Sequence, residues 1–317
     1  MYYDRRLPDP LLSLLQPEAC LGWLVPWLRT PAAERAHGHV QFRRDRSQRK
    51  HGGVQVYIGR TSPLEVRMTG RGRLKLHADP FYQAMTPSLF ATEHDEAGLS
   101  ERAAELRAHL EHAATATHRS FLDREATVHG GLLRHHGHGA GRDVRWVAVD
   151  SEARTGFHSR AQQEAFEASL PGVVGLPDTE EVPRKLDLVG ASLAGEVLLV
   201  EVKEDARGLV RAGWQAAVHV ARFEALLAEH PGWVAAVLTP WVVQRREVGL
   251  LGDAPLPVWP ASPRLVPVIA AQDDRPGWAD RWRLELAPVV AASRGRLVGL
   301  RLWRLSPDGR VLEEVAS

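Results

Sequence analysis

The sequence predicts a mixed α/β fold, and three observations support this prediction. Apolar runs such as "EVLLVEV" (196–202) have the continuous hydrophobicity of a strand that is buried on both faces. Longer segments have the periodicity of helices, above all "ARGLVRAGWQAAVHVARFEALLAEH" (206–230). The two kinds of segment follow each other in the order helix, strand, strand, strand, helix, strand. This order predicts a mixed sheet that is covered by helices.

The composition is that of a globular protein with two or three domains. The chain has 317 residues, of which 44% are hydrophobic and 25% charged. Its net charge of +1 excludes a polycation, so any nucleic-acid binding requires local basic charge. A single cysteine, Cys20, excludes an internal disulfide framework and a four-cysteine zinc site. No secretory signal or membrane-spanning run is evident, so we expect a cytoplasmic protein without a membrane partner.

Residues 1–90 are predicted to form an N-terminal, mostly β domain. After a helical start, the alternating runs "HVQF", "GGVQVYIGR", "PLEVRMTG" and "RLKLHA" predict a small antiparallel sheet or barrel. A basic cluster in this domain predicts contact with a phosphate backbone, although a solvated loop is the more common role of such a cluster. Its members are Arg43, Arg44, Arg46, Arg49 and Lys50. Residues 86–99 are predicted as a polar linker.

Residues 100–250 are predicted to form the central α/β core. Helical patterns cover 100–136 and 159–170, with a strand between them at "VRWVAVDSE". A further buried strand, "WVAAVLTP" (233–240), is predicted after the long helix. Residues 251–317 form a strand-rich C-terminal extension that ends in a hairpin turning at 307–309. The pattern leaves open whether this extension joins the central sheet or forms its own lobe.

The segment "KLDLVGASLAGEVLLVEVKED" (185–205) has the residues of a metal site. Asp187 and Glu201 are 14 residues apart on two strands of a predicted hairpin, whose strands lie about 4.8 Å apart. Both carboxylates can therefore reach one divalent cation. Lys203 lies on the same face as Glu201, because side chains alternate along a strand. Two carboxylates and an ammonium group suit a Mg²⁺ site that binds a phosphate and orients a water.

With Asp187, Glu201-x-Lys203 and a following helix that includes Gln215, residues 160–240 resemble the PD-(D/E)XK nuclease superfamily. The resemblance implies a restriction-endonuclease-like mixed sheet flanked by helices. It implies that Asp187, Glu201 and the main-chain carbonyl of Val202 bind Mg²⁺ or Mn²⁺. It also implies that Lys203 positions or activates the attacking water. Gln215 and His219 resemble a Gln-x-x-x-Tyr element in which His replaces Tyr.

In two respects the sequence departs from the family pattern. Leu186 stands where the motif has proline. The acidic residue that the family takes from its first core helix has three candidates. Glu164 is the first choice, Glu125 is preferred if 156–183 is an insertion, and Glu152 is the third.

The predicted function is that of a Mg²⁺- or Mn²⁺-dependent deoxyribonuclease, which hydrolyses phosphodiester bonds of DNA in repair, recombination or defence. The alternative is a non-catalytic nucleic-acid-binding or scaffold protein that retains the fold. DNA is the expected partner, and the sequence leaves open whether the chain forms a homodimer. A histidine group (His129, His135, His136 and His138) suggests zinc, but its irregular spacing favours a flexible surface turn.

Overall fold

The computed structural model describes most of the chain. The described residues are 1–44, 52–59, 61–116, 124–177 and 179–316. They divide into two compact units. The mixed-sheet unit consists of Met1–Tyr3, Val144–Thr239 and Pro255–Ser317, and the antiparallel-sheet unit consists of Asp4–Asp143 and Pro240–Ala254. Both units are built from segments that are distant in the sequence. The predicted division into 1–90, 100–250 and 251–317 therefore differs from the one observed.

The antiparallel-sheet unit contains the small sheet that was predicted for the N-terminal region. Its strands are β1 (His39–Arg44), β2 (Gly52–Ile58), β3 (Thr61–Met68), β4 (Leu74–His77) and β5 (Glu93–His94). They lie in sequence order, and all neighbours pair antiparallel. The alternating pattern explains this arrangement, because one face of the sheet carries the buried apolar side chains. These include Val40, Phe42, Val54, Val56, Leu64, Val66, Leu74 and Leu76.

The helices around this sheet account for the different domain boundary. They are α1 (Asp9–Ser13), α2 (Leu24–Leu28), α3 (Pro31–Arg35), α4 (Pro80–Gln83), α5 (Pro87–Phe90), α6 (Glu96–Glu101), α7 (Ala103–Ala116), α8 (Arg124–Leu133) and α11 (Thr239–Glu247). The apolar face of α7, with Leu106 and Leu110, is buried, and His109 Nε2 lies 2.9 Å from the Pro63 carbonyl oxygen of β3. The helices of 100–136 thus cover the antiparallel sheet rather than the mixed sheet.

Two local predictions in this unit were wrong. The predicted linker 86–99 contains α5, β5 and part of α6, and it buries Leu89 and Phe90 in the core. The histidine-rich segment is not an exposed turn. It continues α8 as a helical segment (Arg134–His138) with a kink at Gly137, whose φ of -122° and ψ of -118° are not helical, and the His138 side chain is buried. The glycine therefore interrupts the helix without exposing this segment as a surface turn.

The mixed-sheet unit is built on six strands among the described residues. They are β6 (Trp146–Ala153), β7 (Leu186–Ser192), β8 (Val197–Lys203), β9 (Leu265–Ala271), β10 (Arg301–Leu305) and β11 (Val311–Ala316). Their order in the sheet is β11-β10-β9-β8-β7-β6. The β8–β9 and β9–β10 pairs are parallel, whereas the other pairs are antiparallel. The predicted mixed α/β class is therefore confirmed, and the hydrophobic run of β8 is explained by its central place.

Between β6 and β9 this unit contains three helical segments and one short 3-10 helix. They are α9 (Arg160–Val174), the 3-10 helix (Ala206–Gly208), α10 (Leu209–Glu229) and a π-helix (Val234–Leu238). The β7–β8 hairpin turns at Gly195, whose φ of 81° lies in the left-handed region that favours glycine. The strand predicted at 233–240 is wrong, because this segment is helical and leads into α11. The strand after α10 is β9 instead.

The C-terminal extension joins the mixed sheet. Strand β9 pairs with β8, and α12 (Trp278–Ala292) leads from β9 to β10. The predicted terminal hairpin is confirmed, since β10 and β11 pair antiparallel and Gly309 has a φ of 79°. Leu286 and Val289 of α12 share an apolar core with Ile269 and Ala271 of β9. This core lies on the same face of the sheet as α10, which also contributes to it.

Candidate active site

Strand register brings the three predicted charged residues together. Leu188 lies opposite Val200 in the antiparallel β7–β8 pair, so Asp187 lies opposite Glu201 and on the same face. Lys203 follows Glu201 by two residues and shares that face. The cluster lies at the carboxyl end of β8, which is where ligands bind in open α/β sheets. The hairpin geometry predicted from the spacing is therefore observed.

The carboxylate of Asp187 is anchored by the backbone. Its Oδ2 accepts a hydrogen bond from the Val202 main-chain N–H at 2.8 Å. The same oxygen lies 3.8 Å from Lys203 Nζ, and 28% of the Asp187 side chain is exposed. Asp187 is therefore fixed in position and still reachable from solvent. The Val202 main chain is part of the site through its N–H, whereas a role for its carbonyl stays a prediction.

The carboxylate of Glu201 is buried beside Asp187 and Lys203, and the nitrogen atoms nearest to it lie at the limit of hydrogen-bond length. The residue is 0% exposed, and neither carboxylate oxygen has a hydrogen-bond partner among the described residues. Lys203 Nζ lies 3.5 Å from Oε2, which is at the outer limit of a hydrogen bond. Burial raises the pKa of the Glu201 carboxyl well above its usual range, and the nearby charge of Asp187 raises this pKa further. Such a carboxylate requires a further cation if it is to be ionised.

The ammonium group of Lys203 lies close to both carboxylates and is mostly enclosed, since 18% of its side chain is exposed. Gly208, in the 3-10 helix before α10, makes room for it. A β-carbon at this position would lie 3.2 Å from the Lys203 Cδ atom, which is a tight contact. The small residue therefore allows the lysine to turn back toward the carboxylates.

Helix α10 contributes a polar face to the same site. Gln215, His219 and Arg222 have the spacing of one helix face. His219 Nε2 lies 3.5 Å from Glu201 Oε1 and 3.0 Å from the Lys185 carbonyl oxygen, to which it is assigned as the donor. Burial lowers the pKa of His219 well below its usual value, and the charge of Arg222 lowers this pKa further. His219 is therefore neutral at pH 7.

Gln215 lies about one helical turn before His219 on the same face of α10. The Gln215 Oε1 atom is buried and has no hydrogen-bond partner among the described residues. Like the carboxylate oxygens of Glu201, it is a buried oxygen atom that has no hydrogen-bond partner among the described residues.

The structure separates the three candidates for the additional acidic residue. Glu164 is exposed on α9, where its carboxylate accepts a hydrogen bond from Arg160 at 2.7 Å. Glu125 lies on α8, in the antiparallel-sheet unit. Glu152 lies on β6 in register with Asp187, because the flanking residues 151 and 153 lie opposite 188 and 186 of β7. The order of preference predicted from the sequence is therefore not supported by these positions, and Glu152 is the candidate nearest the cluster in the sheet.

Glu152 has two unusual features. Its φ of 50° is in the left-handed region, where a residue with a β-carbon is strained by about 1–2 kcal/mol. Its Oε2 lies 3.0 Å from the Nζ atom of Lys185, whose carbonyl oxygen accepts the hydrogen bond from His219. Glu152 is thus connected to Glu201 through Lys185 and His219.

Sequence patterning did not identify Lys185 or Arg222. Arg222 is buried, and its Nε atom has no hydrogen-bond partner among the described residues. Burial lowers the pKa of its guanidinium to about 10. A signal was present in the sequence, because positions 215, 219 and 222 place polar residues at helical spacing among the apolar residues of α10. Trp214 of the same helix is buried in the apolar core.

The predicted phosphate-binding cluster lies mostly outside the described residues. Arg46, Arg49 and Lys50 belong to the undescribed segment, and the same holds for the side chain of Arg44. Arg43 lies on β1, where its guanidinium donates to Gln55 Oε1 at 3.1 Å and to the Tyr57 hydroxyl at 2.8 Å. It also lies 5.3 Å from the centre of the Tyr57 ring. Arg43 is therefore engaged in contacts on the sheet surface.

The oxygen donors at the hairpin fit a hard divalent cation. Asp187 and Glu201 offer carboxylate oxygens across two neighbouring strands, and the oxygens of Glu201 lack hydrogen-bond partners among the described residues. Mg²⁺ and Mn²⁺ prefer such ligands and complete their coordination with water and phosphate oxygens. The residues present therefore fit the metal that the family resemblance implies.

No helix in the described part of the chain has the length and apolar character needed to cross a membrane. Comparison with known proteins found no matching family model, no matching curated protein and no matching solved structure. The function of this chain therefore has to be inferred from the geometry of its own residues.

Proposed function

We propose that this protein is a metal-dependent nuclease that hydrolyses phosphodiester bonds of DNA. The observation that carries the proposal is Glu201, a fully buried carboxylate with no hydrogen-bond partner among the described residues, facing Asp187 and Lys203. Burying a charge in this way is costly, and such groups are normally paired or bound to a metal. A cation held between Asp187 and Glu201 accounts for both carboxylates, and a phosphate near Lys203 accounts for the ammonium group.

The order of elements around the hairpin also supports the proposal. The resemblance implies three strands, a helix and a further strand at the centre of the fold. Strands β6, β7 and β8 are adjacent, α10 follows them, and β9 then pairs parallel with β8. Helix α9 stands between β6 and β7 instead of before the three strands. The family takes a further acidic residue from a helix that precedes the three strands. Because α9 is not in that position, we assign this role to Glu152 on β6 and not to Glu164.

Each residue has a distinct role in the proposed reaction. Asp187 and Glu201 hold the metal, whose chemistry is to acidify a coordinated water and stabilise charge on the phosphate. Lys203 places its ammonium group beside the scissile phosphate and orients the attacking water. Gln215, on the same helix face as His219, has a buried Oε1 atom without a hydrogen-bond partner among the described residues. His219 donates to the Lys185 carbonyl and lies 3.5 Å from Glu201 Oε1.

Cleavage assays test the proposal directly. The full chain should cut DNA in the presence of Mg²⁺ or Mn²⁺ and lose this activity when EDTA is added. Circular and linear DNA, single- and double-stranded, should be compared, because cutting of circles identifies an endonuclease. If the protein binds DNA but cleaves none of these substrates, the alternative of a non-catalytic nucleic-acid-binding protein would be favoured. The cluster of basic residues that begins at Arg43 is the feature of the sequence that favours this alternative.

The two acidic residues Glu152 and Glu164 should differ sharply in their effect on cleavage. We expect Glu152→Gln to lower the cleavage rate by about 10–100-fold, which is typical for a group that supports metal ligands. Glu164→Gln should leave the rate within about twofold, because its exposed carboxylate contacts only Arg160 in this region. Single-turnover cleavage rates measure both. Equal rates for the two variants would contradict the assignment of Glu152.

The basic segment should contribute to DNA affinity through phosphate contacts. Neutralising Arg46, Arg49 and Lys50 together should reduce the slope of log K against log salt by up to about 2.7, since each phosphate contact contributes about 0.9. Fluorescence anisotropy with a labelled duplex at several salt concentrations measures this slope. Arg43→Ala serves as the comparison, because its guanidinium is already engaged by Gln55 and Tyr57. An unchanged slope in the triple variant would assign the segment to solvated surface.

A further inference from the structure

A second group of metal-ligand side chains lies far from the hairpin. It consists of His158, which precedes α9, Glu229, the last residue of α10, and His230, which follows it. Their ligand atoms all lie within 4.8 Å of one another. Along α10, Glu229 is about 21 Å from Gln215. The group is therefore separate from the proposed nuclease centre.

The distances within this group are close to those of a tetrahedral metal site. His158 Nε2 lies 3.2 Å from Glu229 Oε1, and His230 Nε2 lies 3.9 Å from the same oxygen. With zinc–ligand bonds of about 2.0–2.2 Å, the ligand atoms of a tetrahedral site lie about 3.3–3.5 Å apart. Small side-chain rotations are enough to bring the three atoms to these distances. All three side chains are partly exposed, so an ion can enter from solvent.

The donor set distinguishes this group from the hairpin site. Two imidazole nitrogens and one carboxylate suit zinc and other borderline transition metals, whereas Mg²⁺ prefers oxygen ligands throughout. This donor set favours a transition-metal cation at the point where the two imidazoles meet Glu229 Oε1.

Neighbouring contacts hold the carboxylate in the required orientation. Glu229 Oε2 accepts from the Met1 amino group and from Gln162 Nε2, which leaves Oε1 facing the two histidines. Such outer contacts commonly orient metal ligands. One existing bond has to be given up, since His230 Nε2 donates to the Met1 carbonyl at 2.7 Å. Metal binding therefore requires the His230 ring to turn away from that carbonyl.

From these contacts, we propose that His158, Glu229 and His230 bind one zinc ion, with the fourth position taken by water. The ion ties the beginning of α9 to the end of α10 and so stabilises the mixed-sheet unit. Because binding to the folded state alone favours that state, zinc should raise the unfolding temperature of the chain. This inference does not depend on the proposed nuclease activity.

Isothermal titration of the full chain with Zn²⁺, in excess Mg²⁺ to occupy oxygen sites, tests the proposal. We expect one zinc per chain in the wild type. Even an outer-shell group is worth about 10–100-fold in metal affinity, so His158→Ala and His230→Ala should each weaken binding at least tenfold. His136→Ala and Asp187→Ala are the matched controls and should bind zinc as the wild type does.

Cobalt provides a second readout that does not depend on stability. Co²⁺ in place of zinc should give the strong visible absorption of a tetrahedral site in the wild type, and this absorption should disappear in His158→Ala. Far-UV circular dichroism checks that the variants remain folded. Zinc affinity that survives both histidine substitutions, or that is lost in His136→Ala or Asp187→Ala, overturns the proposal. Absence of any zinc binding by the wild type also overturns it.

Discussion

Lys203→Ala is expected to abolish detectable DNA cleavage while leaving the fold and DNA binding intact. The ammonium group lies 3.5 Å from Glu201 and 3.8 Å from Asp187, and it is the cation that the described structure places between these carboxylates. In the proposed reaction it stabilises charge that develops on the phosphate. Removing one such preorganised group typically lowers a catalytic rate by about 10²–10³-fold. The loss should appear in kcat, because the lysine acts on the reacting phosphate and not on the remainder of the DNA.

Two further variants separate catalysis from structure. Lys203→Met keeps the apolar stem that passes Gly208 but removes the charge, so it should be as inactive as the alanine variant. Arg304→Ala removes one member of an ordinary ion pair, with Glu313, in the same sheet, and its activity should match the wild type. Single-turnover rates and anisotropy should be measured on the same preparations. Full cleavage by Lys203→Met would contradict the proposed role of the lysine.

Local patterns in the sequence were sufficient to predict the proposed site. Asp187, Glu201 and Lys203 lie on two strands joined by a short turn, so their relative positions depend only on pairing register and on the alternation of side chains. Both are short-range properties. The turn at Gly195 and the helix carrying Gln215 follow from equally local signals. These are the parts of the site that the structure reproduces.

Long-range pairing could not be read from the same patterns. The strand after α10 was predicted at 233–240, but it is β9 (Leu265–Ala271), which pairs with β8 from about 60 residues further along the chain. Apolar periodicity alone does not separate a short buried strand from a buried helical turn, and Val234–Leu238 is helical. Glu152 was ranked last, because its register with Asp187 of β7 is a property of strand pairing that no local feature reveals. The same limit explains why the helices of 100–136 were assigned to the wrong sheet.

Glu201→Gln is expected to make the metal-free protein more stable at pH 8 and to abolish cleavage at the same time. Burial and the nearby Asp187 raise the pKa of Glu201 in the folded state above the ordinary value of 4.5 that describes the unfolded chain. Between these two pKa values the folded state binds more protons than the unfolded chain. The stabilising contribution is therefore complete below about pH 4.5 and is lost as the pH rises through the folded-state pKa.

Glutamine cannot ionise, so the variant keeps this contribution at high pH. The variant should therefore be more stable at pH 8, with a gain in the free energy of unfolding of about 1.4 kcal/mol for each unit by which the pKa of folded Glu201 exceeds that of the unfolded chain. The difference between variant and wild type should shrink toward pH 4.5, and Mg²⁺ should stabilise the wild type but not the variant. Urea unfolding at a series of pH values, with EDTA or with Mg²⁺, measures all of these differences.

The matched control for this prediction is Glu196→Gln. Glu196 lies just before the same strand, but its carboxylate accepts hydrogen bonds from Arg301 at 2.6 and 2.7 Å. Removing its charge should lower stability or leave it unchanged at every pH, because a satisfied ion pair is lost. If Glu196→Gln lowers the stability and Glu201→Gln raises it, the carboxylate of Glu201 is retained although it destabilises the fold. Lower stability of Glu201→Gln at pH 8 would instead mean that Lys203 and His219 already compensate the carboxylate. Glu201 would then give no reason to place a metal between the strands.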